Sequence, residues 1–333
     1  MKTVCFGELL LRLSPLSKKR FVQADNFEIN FGGAEANIAV ALANFGIHSV
    51  YVTEVPEHDI GQMGINSLRK VGVDTDKIVR KGERLGIYYL ENGASQRSSK
   101  VIYDRKHSSI TTAKREDFDW DEIFDGADWF NITGITPALG DSVVEITLDA
   151  LKVAKKKNIT VSCDLNFRSK LWSGEKAGKV MSEIMQYVDI CIANEEHADI
   201  LFGIKSDCAD DAMRDKDIAG KLIDKFSLKE VIITSRRTLS SEVNDIWASV
   251  YNGKDFALSK KYRINIVDRV GGGDALCAGF IYATLNKFSL QEKIDFAVAS
   301  SAFKHSVEGD YTYAGVQEIL AVANGDGTGR IQR

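Results

Sequence analysis

The segment Asp268–Asp274, DRVGGGD, sets three consecutive glycines beside a carboxylate. It follows a strand-like run, YRINIV, and leads straight into an apolar helical run, ALCAGFIYATLN. Glycines at such a junction let the backbone take positive φ and approach a ligand closely. The N–H groups of Gly271, Gly272 and Gly273, added to those at a helix N-terminus, form an anion cradle. Asp274 falls in the first helical turn, where it could take the proton from a hydroxyl attacking a phosphorus atom held by the glycines. The helix N-terminus is expected to favour its ionised form. Asp274 is therefore expected to be a weak base that accepts its proton late and orients the hydroxyl. A tight turn with an Asp N-cap would leave the same sequence trace. The segment is not a Walker A loop, since no Gly-Lys-Ser/Thr follows.

A second glycine site lies in FGGAEANIAVALANFG, residues 31–46. Gly32–Gly33 precedes a helix whose first turn presents Glu35 and Asn37, groups suited to a polyhydroxy ligand. Alone, this is equally a capped helix entry.

These two sites need a scaffold, and the chain supplies one. Short apolar runs alternate with helical patterns: VCFGE, ANIAVALANFG closed by Gly46, HSVYVTEV, GQMGINSLRKVG ended by Gly72, WFNIT, SVVEITLDALKVAKKK, ITVSCDLN, YVDICIAN, IAGKLIDKF and EVIITS. This alternation predicts a mostly parallel sheet with helices on both faces. Continuous apolar strands predict a sheet buried on both sides. Lys155–Lys157 suits a solvated helix C-terminus. Residues 205–217 read as a polar surface loop. Residues 12–33 and roughly 85–110 break the pattern with polar–apolar alternation and read as antiparallel strands, the second a hairpin turning near Asn92–Gly93 or just after. Together they predict a small β lid, with edge decoration of the main sheet as the alternative.

Composition narrows the function classes. The chain has 333 residues, 44% hydrophobic and 27% charged, with a formal net charge of −4, so it lacks the basic excess expected of a non-specific nucleic-acid binder. No run suits a signal peptide or membrane anchor. Five isolated cysteines without CxxC spacing point to a reducing, cytoplasmic setting. A dinucleotide fingerprint, GxGxxG after the first strand, is absent.

The paired glycine signatures resemble those of the ribokinase-like (PfkB) carbohydrate kinases: GG…N before an Ala-rich helix, and a C-terminal D-T-x-G-A-G-D. The resemblance covers essentially the whole chain. GELLLRLSP, FGGAEANIAVALANFG, VIYDR, DLNFR, DRVGGGD and FKHSVEGD are similar to the subgroup of 2-keto-3-deoxygluconate kinases. It implies a three-layer α/β/α doubly wound sheet, with residues 1–11, 34–84 and 111–333 as the body and 12–33 and 85–110 as the lid. It implies transfer of the ATP γ-phosphoryl to a sugar's terminal hydroxyl, with Mg2+, or in the alternative to a neutral sugar by a fructokinase-like enzyme. Carried over, Asp274 is the base and Gly271, Gly272 and Gly273 form the anion hole. Gly33, Asn37, Tyr88, Tyr103, Arg105 and Arg168 contact the sugar. Arg168, Asn194, Thr234, Ser235, Gly271 and Gly273 serve the nucleotide; no direct protein metal ligand is expected. Relatives that pair lid to lid imply a homo-oligomer.

Three departures matter. Arg269 and Gly272 replace the family's usual Thr and Ala. Arg12 stands where many members carry a sugar-binding Asp, which suggests an anionic substrate gripped by Arg105 and Arg168; alternatively Arg12 points away into the lid surface. NEEH at 194–197 puts His197 where the family has Glu; Glu195 or Glu196 is expected to compensate. His48, His58, His107 and His305 are each isolated. A binding protein that kept the fold without the chemistry is the other class considered, and the retained Asp274 argues against it.

Overall fold

The computed structural model describes residues 1–325. A nine-stranded sheet forms the centre, and six of its strands are parallel: Glu230–Thr238, Ile190–Ala193, Thr160–Asp164, Trp129–Thr133, Lys2–Phe6 and His48–Val52, in that spatial order. Val243–Tyr251 then adds antiparallel, and Phe256–Leu258 and Tyr262–Asn265 pair with it. Two apolar clusters sandwich the sheet. Cys5 and Tyr51 face the helices Ala34–Asn44, Gly272–Leu285 and Leu290–Lys304, while Val4, Phe6, Val50 and Val52 face Asp141–Lys156, Gly174–Ile184 and Asp211–Phe226. Successive side chains point to opposite faces, so a strand such as Trp129–Thr133 is buried at every position, with Trp129, Phe130 and Ile132 apolar and Asn131 and Thr133 the buried polar exceptions. This is the three-layer arrangement the sequence predicts.

Strand order reverses at the first strand. The chain leaves Lys2–Phe6 for His48–Val52 on one side, then returns to Trp129–Thr133 on the other and proceeds outward. A crevice outside the C-terminal ends of the strands at such a reversal is where open α/β sheets bind ligands.

A separate four-stranded sheet is built from the two interrupting segments, in the order Phe27–Gly32, Leu10–Pro15, Gly86–Glu91, Lys100–Asp104. Each segment contributes an antiparallel pair, and the two pairs join through parallel pairing of Leu10–Leu13 with Gly86–Tyr89. The hairpin turn falls in the polar stretch at Ala94–Arg97. One row across this sheet reads Asn30, Arg12, Tyr88, Tyr103; the next, on the opposite face, reads Ile29, Leu13, Tyr89, Ile102.

One element differs from expectation. Residues 205–210 are irregular, but Asp211–Phe226 is a single helix, so the polar stretch to Asp217 is its first two turns. Asp210 accepts the N–H of Met213 as N-cap, and the apolar stripe of Ile218, Ala219 and Leu222 buries the rest. Polarity there marks an exposed helix face rather than a loop.

Candidate active site

The helix Gly272–Leu285 begins at Gly271, whose φ of +83° is left-handed. A Cβ at Gly271 would collide with the carbonyl oxygen of Asp310, and one at Gly272 with the His305 ring; at Gly273 it would meet nothing within 4 Å. The three glycines thus do different work: the first two let the loop pack against residues 305–310, and the third leaves open space. Among the described residues, the N–H groups of Gly271, Gly272 and Gly273 have no acceptor. They remain available to an anion.

Asp274 lies in this first turn. Asn37 donates from Nδ2 to Asp274 Oδ2 at 2.7 Å, which brings the two glycine sites together. Burial pushes the Asp274 carboxyl up to about 7, with Asp164 and Glu35 adding to the rise while Asn37 and Arg168 oppose it. Asp274 is thus a stronger base than the helix N-terminus alone leads one to expect. A helix end contributes about 0.3–1 kcal/mol, less than the roughly 1.4 kcal/mol of one pKa unit, and the surroundings outweigh it.

Glu35 is buried beneath the site and takes three hydrogen bonds, from Thr133 N at 2.9 Å, Thr133 Oγ1 at 2.8 Å and Thr136 Oγ1 at 2.7 Å. It ties the helix Ala34–Asn44 to the end of the neighbouring strand. Gly33 caps that helix at φ +152°, and a Cβ there would collide with the carbonyl of Glu8. Asn37 Oδ1 is buried and has no partner among the described residues.

Across the crevice, Glu8 accepts from Ser108 Oγ at 2.6 Å and pairs with Arg105 Nη2. The Arg105 guanidinium lies 5.3 Å from the Tyr103 ring centroid, and its Nε is buried without a partner among the described residues. Tyr103 is 45% exposed. Tyr88, by contrast, is buried, and its hydroxyl donates to Asp310 rather than standing open.

Arg12 does not point into the lid surface, the alternative the sequence left open. Its guanidinium is 2% exposed and bonds Asp268 Oδ2 at 2.6 Å and Asp310 Oδ1 at 2.9 Å. It neither faces the lid surface nor keeps charge free for an anion, because two carboxylates already claim it.

The remaining residues line the C-terminal ends of the parallel strands. Asp164 ends its strand, and burial raises its carboxyl to about 6. Arg168 just beyond is exposed and has no ion pair among the described residues, while its charge reaches Asp164, Asp274 and His197. Asn194 spends its side chain as N-cap on His197 N at 2.7 Å. Burial, with Arg168 adding, pushes His197 down to about 4, so it is neutral at pH 7. Thr234 Oγ1 donates to the Ala193 carbonyl at 3.2 Å, and Ser235 pairs across the sheet with Trp247. No group of three or more His, Cys, Asp or Glu able to hold a metal occurs among the described residues.

Sequence reasoning missed Glu8, Ser108, Asp310 and Arg236. Glu8 was detectable, since it follows the first strand at the end where ligands bind. Burial, and then the nearby Arg236, lower the Arg269 pKa, so two guanidinium groups cluster beside the glycine loop.

The comparisons with known proteins agree with this fold. A solved 2-dehydro-3-deoxygluconokinase from Thermotoga maritima is 48% identical, with a TM-score of 0.96 and 98% of each chain covered. A PfkB family carbohydrate kinase from Listeria grayi is 34% identical, with a TM-score of 0.93, covering 97% of this chain and 100% of its own. The 2-dehydro-3-deoxygalactonokinase of Haloferax volcanii is 28% identical over 98% of both chains. The pfkB family carbohydrate kinase model matches residues 1–314, and the chain belongs to that family.

Proposed function

We propose that this protein is an ATP-dependent kinase of 2-keto-3-deoxygluconate, phosphorylating its terminal hydroxyl. The observation that carries this reading is the juxtaposition of Asp274, with a carboxyl near neutrality, and three unpaired N–H groups. The sugar hydroxyl attacks the γ-phosphorus as its proton passes to Asp274. The new O–P bond forms, the bond to the β-phosphate oxygen breaks, and ADP leaves. The N–H groups of Gly271–Gly273 face the charge that develops on the transferring group. Asn37 Oδ1, buried and unpaired, suits a sugar hydroxyl as donor.

The acid end of the sugar falls to Arg105 and Arg168, with Tyr103 and Gly33 beside them. Arg105 Nε and the exposed Arg168 guanidinium are the cationic groups here with capacity left. Tyr88 contributes its ring face. Asn194, Thr234, Ser235 and Arg168 border the nucleotide. Mg2+ would be held largely by the ATP phosphates and its own waters. It would neutralise charge between the β- and γ-phosphates, and the exposed Glu195 and Glu196 could meet its hydration shell.

A coupled ADP-release assay over ketodeoxygluconate, its galactonate isomer, fructose and ribose tests the substrate. Ketodeoxygluconate is expected to give the highest kcat/KM; a faster neutral sugar would end the acid-sugar reading, and a faster galactonate isomer would reassign the stereochemistry. Arg105→Ala is expected to raise KM for the acid sugar about tenfold or more, the scale of a lost charged hydrogen bond. An unchanged KM would remove Arg105 from the carboxylate site.

We also infer a dimer formed through the second sheet. Its outer row leaves Phe27, Ile29 and Ile102 exposed at 39%, 51% and 44%. Such a contiguous apolar face and its sheet edges are commonly covered. Sedimentation of the native protein should give twice the mass of one chain, and Ile29→Lys should reduce it to one. A wild-type monomer would refute the pairing. Four of the five free cysteines are buried, and no described helix is long and apolar enough to cross a membrane. Both fit a cytoplasmic enzyme.

A further inference from the structure

We propose that Arg12 is a positioning residue: from the second sheet it holds the phosphoryl-binding loop in shape by bridging Asp268 and Asp310. The strand Leu10–Pro15 carries it, flanked on both sides by partner strands. Each of its three guanidinium nitrogens makes a hydrogen bond. Nε donates to Ser14 Oγ at 2.8 Å, Nη1 to Asp310 Oδ1 at 2.9 Å and Nη2 to Asp268 Oδ2 at 2.6 Å.

Both carboxylates act on the glycine loop. Asp268 accepts the N–H of Val270 through Oδ1 at 3.0 Å and that of Gly309 through Oδ2 at 3.2 Å. It thereby fixes the Arg269–Val270 peptide, one residue short of Gly271, and ties it to residues 305–310. Asp310 packs its main-chain oxygen against Gly271, and its Oδ2 takes the Tyr88 hydroxyl from the same sheet. The conformation of Gly271, and hence the aim of the N–H groups, rests on two acids that Arg12 binds at once. A planar fork spans two carboxylates in a way an ammonium cannot.

Arg12 touches neither the crevice nor Asp274, so its effect on the reaction passes through the loop. The second sheet and the loop then form one unit, and the sheet that covers the sugar also sets the cradle for the phosphoryl group. This inference rests on the reading of Gly271–Gly273 as that cradle. Gly273→Ala, which leaves the Arg12 bridge intact, tests the cradle separately.

The experiment compares Arg12→Ala and Arg12→Lys with wild type by steady-state kinetics and thermal unfolding, with and without guanidinium chloride at low millimolar concentration, far below denaturing levels. Arg12→Ala is expected to lower kcat at least thirtyfold while KM for the sugar changes less than threefold. Added guanidinium is expected to restore kcat severalfold in that variant and to leave wild type unchanged. Arg12→Lys, which keeps the charge but not the bridge, is expected to fold and still lose at least tenfold in kcat. A folded Arg12→Ala with kcat within twofold of wild type would overturn the proposal. So would a folded Arg12→Ala that guanidinium does not rescue. If Arg12→Ala does not fold, Arg12→Lys decides alone: wild-type kcat would show that bridging is not needed.

Discussion

Replacing Asp274 by Asn is expected to lower kcat by about 10²–10⁴-fold, the contribution of a positioned proton acceptor, while the sugar still binds. Asn fills the same volume and can still accept the Asn37 amide proton, so geometry survives and only the base is lost. The pH behaviour sharpens the expectation. The carboxyl lies at about 7 in the folded protein, and transfer requires its ionised form. In the wild type, kcat/KM should therefore rise with pH to a plateau, bending near 7, and the variant's residual rate should lose that bend. Stability moves in the opposite sense. A carboxyl with a raised folded pKa holds a proton that the unfolded chain releases, so stability falls as pH rises from about 4 to 7. Asp274→Asn removes that loss, and its unfolding midpoint at pH 8 should lie above that of wild type. Turnover within a few-fold of wild type would remove Asp274 from the chemistry.

Gly271→Ala and Gly273→Ala should part company although they stand two residues apart. The first places a Cβ at a left-handed φ of +83° and into the Asp310 carbonyl. Backbone strain and overpacking together should cost about 3 kcal/mol, read as a lower unfolding midpoint. The second meets nothing in the protein within 4 Å, so the midpoint should hold. Its methyl group instead occupies the space left for the phosphoryl, and a displacement of about 1 Å there costs about 10²-fold in rate. If Gly273→Ala turns over as wild type does, the open space beside Asp274 is not where the phosphoryl moves.

The layered fold was legible because its cause is local. Val231–Ile233 faces apolar layers on both sides, so every residue there is apolar, and a short continuous run reveals it. The glycine pairs were equally visible, since few sequences need three in a row before a helix. Electrostatic roles were harder to read. Arg12 resembles a free cation in one dimension, yet its partners Asp268 and Asp310 lie far along the chain and meet it only when both sheets close. The base strength of Asp274 was hidden for the same reason: the helix end is local, whereas the burial that raises its carboxyl, with Asp164 and Glu35 adding, comes from other elements. Polarity misled at residues 211–217, where an exposed helix face and a loop look alike without the apolar stripe beyond.

The parallel pairing of Leu10–Leu13 with Gly86–Tyr89 has a consequence for assembly. Two hairpin-like halves can each form from near neighbours, but their junction cannot register until the intervening chain has folded back through the helix Ala34–Asn44 and the strand His48–Val52. Long-range parallel pairing of this kind is slow to nucleate. The junction is therefore the slow step in assembling the covering sheet itself, after its two antiparallel pairs.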